Sequence, residues 1–165
     1  MKIADAIAIL EEQVPNPSEG LPEELFYYIS RTTALVNVDL LVKDENGRTL
    51  LSWRDDQYAG KGWHVPGGII RFMETLETRI EKVAETELGV VAISFEPVPV
   101  ALNQVITPNQ KIRGHFISLL YRCFLPSTFV PKNEGLTMDD RGYVMWHDRC
   151  PDNLLKLHEL YRKYL

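Results

Sequence analysis

The chain has 165 residues, enough for a single domain with a sizeable core, and its apolar and charged fractions of 45% and 25% are ordinary for a globular protein. A net charge of −5 argues against a protein that binds nucleic-acid backbones, because such proteins carry a basic patch. The longest apolar run is too short to span a bilayer and no charged-then-apolar leader is seen, so we expect a cytoplasmic protein.

Two short helices are predicted at the start of the chain. Residues 2–13 have apolar side chains on one side, a Pro/Gly/Ser/Asn cluster breaks the pattern at 14–20, and a second helix begins at Leu21-Pro22. We therefore expect an N-terminal helix and loop extension over residues 1–20 and a single domain over residues 21–165. The two helices either pack on the sheet or serve as a dimer contact or a lid.

A β-hairpin is predicted next. Residues 33–42 and 48–53 are β-prone, and Asn46-Gly47 between them is a tight-turn signal. Asp39 interrupts the first strand and Arg54 ends the second. A lone Asp in an apolar strand is unfavourable unless it is paired, so Asp39 either has an internal partner or accepts hydrogen bonds from a nucleobase or sugar.

Residues 65–90 carry the strongest pattern in the chain. Pro66-Gly67-Gly68 precedes a helix that opens near Glu74, has a single apolar stripe and ends before Gly89. Adjacent glycines let the backbone approach a ligand, and Glu87 on the last turn can reach back toward them. This loop-helix-loop can offer carbonyl and carboxylate oxygens to a hard cation, which could hold a diphosphate.

The remaining segments supply further candidate groups. The glycine-punctuated loop 58–64 ends in His64, whose imidazole could act as a base. Residues 95–106 have apolar side chains at alternate positions, and a strand is predicted at 111–124. On that strand Arg113 and His115 share one face, which points either toward an anionic pocket or toward solvent. Residues 126–140 form a loop, 142–146 a last core strand, and the segment from Pro151 an amphipathic helix with His158 on its surface.

The frame of residues 68–90 resembles the box of the Nudix hydrolases. Gly68, Glu74, Ala84, Glu87, Gly89 and Val90 match that box. Lys82 stands in place of its Arg, while Val83 and Thr86 stand in place of two of its acids. The GDP-mannose mannosyl hydrolase branch also lacks acids at those two positions, binds one magnesium and cleaves a glycosidic C–O bond.

This resemblance implies an α/β/α sandwich around a mixed sheet, with homodimers that pair through the N-terminal region. The branch has an Asp in the first strand that contacts the nucleotide and an Arg after the second that reaches the diphosphate. These roles carry over to Asp39 and Arg54. Gly67 and Glu87 would hold Mg²⁺, with Mn²⁺ as a possible substitute, and Lys82 would steady the diphosphate beside Arg54.

The later part of the chain departs from the branch, which places a Gln ligand and a His base just before the last strand. Alignment there puts Asp140 as a candidate third metal ligand and Arg141 at the position of the base. Arg cannot act as a base at neutral pH. Asp139, Asp140, Glu134 and His115 remain open as the group that activates water.

The expected function is Mg²⁺-dependent hydrolysis of a nucleoside diphosphate-sugar, in the manner of a GDP-mannose mannosyl hydrolase, with Arg54, Glu87 and Asp140 as catalytic residues. Substrate contacts are expected from Asp39, Arg54, Lys82, Arg113 and His115. An ordinary Nudix pyrophosphatase and a nucleotide-sugar-binding domain without turnover are the alternatives. A nucleic acid or membrane partner is not expected.

Overall fold

The computed structural model describes residues 2–57 and 60–165, without the side chain of Asp56. Tyr58 and Ala59, which begin the loop predicted at 58–64, lie outside the described residues. Two helices lead the chain, α1 (Ile3–Gln13) and α2 (Glu23–Thr32), joined through a 3-10 turn at Pro17–Glu19. No described side chain of α1 is buried, whereas Ser30 of α2 is.

The described residues form a mixed sheet of eight strands. The bounds of the strands are β1 (Leu35–Lys43), β2 (Thr49–Asp56), β3 (Gly60–His64), β4 (Gly67–Ile69), β5 (Ser94–Phe95), β6 (Ala101–Ile106), β7 (His115–Phe124) and β8 (Val144–His147). The path β3-β2-β1-β7-β5 runs across the sheet, with β4 paired to β1, β6 to β7 and β8 to β2. Only β1 and β7 pair in parallel among these strands, and this pairing makes the sheet mixed.

One face of the sheet is covered by α3 (Leu76–Leu88). Thr75 caps the helix by accepting a hydrogen bond from the Thr78 N–H, and Gly89 ends it with a left-handed φ of 68°. The buried stripe of α3 packs against Val38, Leu40 and Val42 of β1. The predicted helix and its glycine cap are therefore confirmed.

The other face is covered by the C-terminal segment. Leu41 of β1 and Leu120 of β7 pack there with Leu154 and Tyr161. Residues Lys156–Tyr164 form a 3-10 helix, which differs from the longer amphipathic helix expected from Pro151. The loop expected at 58–64 also differs, because residues 60–64 pair with β2 as a strand.

Among the described residues, we find no helix with the length and apolar character needed to cross a membrane.

Candidate functional site

A cleft of roughly 600 Å³ opens beside β1 and β4 and is lined from seven parts of the chain. Its walls come from β1, from the β2–β3 pair, from β4, from the end of α3, from the start of β7 and the loop before it, from the loop before β8 and from the C-terminal 3-10 helix. Polar and charged residues in its lining are Asn37, Asp39, Ser52, Arg54, His64, Thr86, Glu87, Gln110, Arg113, Arg141, His158 and Tyr161. Residues far apart in sequence therefore share one site.

Gly67 sits where β4 comes close to β1. The Leu40 N–H bonds to the Pro66 carbonyl at 2.8 Å and the Ile70 N–H bonds to the Val36 carbonyl at 2.9 Å. Gly67, one residue after Pro66, is paired with Asp39 at a position without hydrogen bonds between the two strands. In antiparallel pairing this position directs its own N–H and C=O away from the neighbouring strand. A Cβ on Gly67 would lie 2.0 Å from Asp39 Oδ1, so glycine is needed here to accommodate the Asp39 carboxyl group.

Asp39 is buried and has internal partners. The hydroxyls of Ser118 and Tyr161 both donate to its Oδ2, the second at 2.5 Å. Burial raises the pKa of Asp39, while the two hydroxyls act in the opposite direction. The internal-partner alternative for Asp39 is thus what the structure shows. Contact between its Oδ1 side and a ligand in the cleft stays a proposal.

His64 and Glu87 lie next to each other in the cleft lining. His64 Nδ1 donates to the Ser52 carbonyl at 2.7 Å, which leaves Nε2 of a neutral imidazole as an acceptor. That Nε2 lies 3.3 Å from Glu87 Oε2. A cation beside these two converging acceptors would stabilise this arrangement.

Arginine side chains give the cleft a cationic character. Arg54, Arg113 and Arg141 are all in its lining. The Arg113 guanidinium also stacks 5.8 Å from the Phe26 ring centre, which brings α2 close to this part of the site. Guanidinium groups can hold two phosphate oxygens at once, so this cleft suits an anion.

Glu74, the first acid of the box, has a structural partner. Its two carboxylate oxygens accept from Arg79 Nε at 2.7 Å and Nη2 at 2.9 Å, and its Oε2 also accepts from the Arg71 N–H at 2.9 Å. Burial would raise the pKa of Glu74, but these bonds hold it below its ordinary value. Glu74 therefore fixes the loop before α3.

The donor set of the cleft fits a divalent cation only in part. No cluster of three or more His, Cys, Asp or Glu side chains suited to a metal occurs in residues 2–57 and 60–165. Glu87, with a side chain 31% exposed, and the Gly67 backbone remain available for one ion. Mg²⁺ commonly binds through one or two carboxylates together with waters and substrate phosphates, so these groups suffice for an ion that arrives with a phosphorylated ligand.

Three residues expected at the site are not in the cleft lining. Asp140 accepts hydrogen bonds from the N–H and the hydroxyl of Thr137, both at 2.7 Å, so its carboxylate stabilises a local turn. These bonds keep the pKa of Asp140 low. His115 lies with Nε2 3.2 Å from Gln104 Nε2, and Lys82 is exposed on α3, one turn before Thr86.

The expected shared face of Arg113 and His115 is also corrected. Arg113 has a φ of 58° and precedes β7, so the two-residue alternation of a strand does not extend to it. Arg113 lines the cleft and His115 does not. The other open candidates for activating water, Glu134 and Asp139, are exposed and outside the lining.

Sequence reasoning missed the contribution of the C-terminal segment. His158 is not on the surface of a helix but lines the cleft, and its Nδ1 accepts from the Val65 N–H at 3.1 Å. Burial, together with nearby His64 and Arg54, holds the pKa of His158 well below its ordinary range. Tyr161 reaches Asp39 from the same 3-10 helix. Neither residue belongs to a local motif that would have marked it.

Comparison with known proteins finds relatives of part of the chain. No family model matches the chain. The low-salt glycan biosynthesis protein Agl8 of Haloferax volcanii is 37% identical over 78 residues, which are 47% of this chain and 49% of that protein. The chain thus spans about half the length of the curated relative it matches.

Solved structures resemble a larger share of the chain. The MutT Nudix hydrolase of Burkholderia pseudomallei has a TM-score of 0.62 at 20% identity, over 81% of this chain and 98% of that one. A possible asymmetric diadenosine tetraphosphate hydrolase of Jonesia denitrificans has a TM-score of 0.62 at 20% identity, over 80% and 92% of the two chains. The protein therefore has the fold of the Nudix hydrolases, as the spacing of residues 68–90 predicts.

Proposed function

We propose that this protein is a metal-dependent hydrolase of a nucleoside diphosphate-sugar. The observation that carries the proposal is the combination, in one cleft, of Glu87 and the Gly67 backbone with Arg54, Arg113 and Arg141. A cation site next to a group of arginines suits a diphosphate, which has negative charge on both phosphates. The Nudix fold and the partial likeness to a glycan biosynthesis protein support this substrate class.

The residues of the chain have separate tasks in this proposal. The Glu87 carboxylate and the Gly67 carbonyl would hold a divalent cation, Mg²⁺ or Mn²⁺, whose charge offsets that of the diphosphate. Arg54 binds phosphate oxygens and stabilises the charge that grows on the leaving diphosphate. Asp39, fixed by Ser118 and Tyr161, presents its Oδ1 side to the nucleoside.

Cleavage at the sugar is favoured over cleavage between the phosphates. Water would add to the anomeric carbon while the bond from that carbon to the diphosphate oxygen breaks; the electron pair of that bond leaves on the diphosphate, and the proton of the attacking water passes to solvent. Cleavage between phosphates in this fold normally employs several carboxylates, and Val83 and Thr86 here supply none. The Val83 side chain is buried beside Gly68 and has no donor atom, so it contributes no ligand.

A binding protein without turnover is the second candidate, because the described residues contain no three-ligand cluster. Purified protein should be incubated with Mg²⁺ or Mn²⁺ and a panel of ADP-, GDP-, UDP-, CDP- and dTDP-sugars, and the products separated by anion exchange. Free sugar plus nucleoside diphosphate is the expected result. Sugar phosphate plus nucleoside monophosphate would indicate a pyrophosphatase. Saturable binding without product would establish the second candidate.

A further inference from the structure

The C-terminal 3-10 helix is held against the cleft by backbone contacts. The Trp63 N–H bonds to the Asn153 carbonyl at 3.0 Å, and the Leu155 N–H bonds to the Trp63 carbonyl at 2.8 Å. Gly62 permits this approach, since a Cβ there would lie 2.6 Å from the Asn153 oxygen. Because Tyr161 is also bonded to Asp39, both ends of the segment are fixed, and His158 lies between them.

The hydrogen bond to Val65 determines which nitrogen of His158 carries the proton. Val65 N–H can only donate, so Nδ1 of His158 must be an unprotonated acceptor. The proton of the neutral imidazole is then on Nε2. His64 has the opposite arrangement, with its proton on Nδ1 and its acceptor toward Glu87. The two neighbouring rings, 5.7 Å apart, thus present an acceptor and a donor to one cleft.

The Nε2–H of His158 is open to the cleft. Within the described part of the chain this N–H has no hydrogen-bond partner, and His158 is only half-buried. The ring packs edge-on against His64 and Tyr161, and the residue lines the cleft. A bound ligand is therefore the partner that can satisfy this donor.

The surroundings of this donor favour an anionic oxygen. Arg54 is close enough to act on His158 electrostatically and also lines the cleft. A fixed neutral donor beside a guanidinium adds a directed hydrogen bond without another repelling charge. We propose that His158 donates its Nε2–H to a diphosphate oxygen of the substrate, next to Arg54. This inference rests on the proposed function and adds a substrate-binding residue to it.

The test separates the two nitrogens of the ring. His158→Asn keeps an acceptor near the position of Nδ1 for Val65 and removes the distant donor, while His158→Gln places an amide N–H near the position of Nε2. Lys156→Asn, an exposed change on the same 3-10 helix, is the matched control. Affinities for ADP, GDP, UDP, CDP and dTDP, and for the corresponding nucleosides, are measured by isothermal titration calorimetry with Mg²⁺ present.

We expect His158→Asn to weaken binding of the preferred diphosphate about tenfold, the loss typical of a hydrogen bond to a charged group. His158→Gln should stay within about threefold of the parent protein, Lys156→Asn should match it, and nucleoside affinity should not change. Equal diphosphate affinity in His158→Asn and the parent would overturn this inference and leave the proposed function in place. A parent protein that binds none of the diphosphates would overturn both.

A second measurement avoids substitution altogether, in case His158→Asn does not fold. Long-range ¹H–¹⁵N spectra of the imidazoles in the parent protein should show His158 as the Nε2–H tautomer, and added diphosphate should shift Nε2 more than Nδ1. The opposite tautomer, or an Nε2 signal unmoved at saturation, would contradict the proposed contact.

Discussion

Residues 65–90 and residues 151–165 border the same cleft from opposite faces of the sheet, but they reach it by different means. The first segment is built from local signals, including the Thr75 cap and the Gly89 cap of α3. The second is placed by contacts over long separations, such as Tyr161 to Asp39, 122 residues apart. The first offers acceptors and the second a donor. Only part of a site can therefore be predicted from sequence when one of its segments is marked by local signals and the other is placed by long-range contacts.

The largest difference in stability should separate two ion pairs of similar geometry. Arg79 and Glu74 have side chains only 10% and 7% exposed, whereas Arg162 and Glu159 on the 3-10 helix are 44% and 46% exposed. Arg79→Met leaves a buried carboxylate unpaired and should lower the free energy of unfolding by about 3 to 5 kcal/mol. Arg162→Met should lower it by less than about 1 kcal/mol. Urea unfolding at pH 7 measures both.

The Arg79–Glu74 ion pair should also affect how the free energy of unfolding falls at low pH. The folded-state pKa of Glu74 lies below its ordinary value, so its contribution is complete above the unfolded pKa, about 4.3, and is lost as pH falls through the lower folded value. In Arg79→Met the free energy of unfolding should therefore fall less than in the parent protein as the pH drops below about 4.3. Equal losses in the two arginine variants would contradict the distinction between a buried and an exposed pair.

Gly67→Ala should have the next largest effect. The added Cβ would lie 2.0 Å from Asp39 Oδ1 and 3.0 Å from the Val38 carbonyl, so β4 or the carboxyl group must move, at a cost of about 3 kcal/mol. Gly135→Ala is the control, because its Cβ would meet nothing within 4 Å and only the left-handed φ of 74° opposes it, by about 1 kcal/mol. Thermal unfolding distinguishes them, and similar losses would refute the close approach.

Tyr161→Phe tests the hydrogen bond that joins the C-terminal segment to β1. Losing the donor to Asp39 should lower the free energy of unfolding by about 1.5 kcal/mol. The Tyr164 hydroxyl makes no hydrogen bond to a described residue, so Tyr164→Phe should have almost no effect. If chemical denaturation ranks the two variants equally, Tyr161 does not hold the segment in this way.

Asp140→Asn should have the smallest effect on function, although sequence alignment marks Asp140 as a metal ligand. Its carboxylate is occupied by Thr137 and lies outside the cleft lining, so turnover at saturating Mg²⁺ should stay within about threefold of the parent. A strong loss of metal-dependent activity would restore Asp140 to the site.

The sequence is sufficient for the fold because strand alternation, helix periodicity and turn residues are local features. The hairpin from β1 to β2 and helix α3 follow from them. Glu87 and Gly67 are predictable for the same reason. Asp39 is placed correctly in β1, but its buried partners Ser118 and Tyr161 come from distant segments and could not be assigned.

The errors at the site share a physical cause. Alignment marks Asp140 and residue type marks His115, but their exclusion from the cleft lining depends on the turn at Thr137 and on the irregular backbone before β7. Helical periodicity places His158 on a helix surface, whereas its position in the cleft depends on a hydrogen bond to Val65, 93 residues away. Tertiary contacts of this kind are absent from any single stretch of sequence.

Direct measurement of cation binding tests the central claim, which is that Glu87 coordinates a divalent ion beside the diphosphate. Mn²⁺ titrations followed by electron paramagnetic resonance, with nucleoside diphosphate present, should show one ion per chain in the parent and in Glu85→Gln, an exposed change on α3. Glu87→Gln should bind Mn²⁺ at least about tenfold more weakly. Unchanged Mn²⁺ affinity in Glu87→Gln would contradict the account.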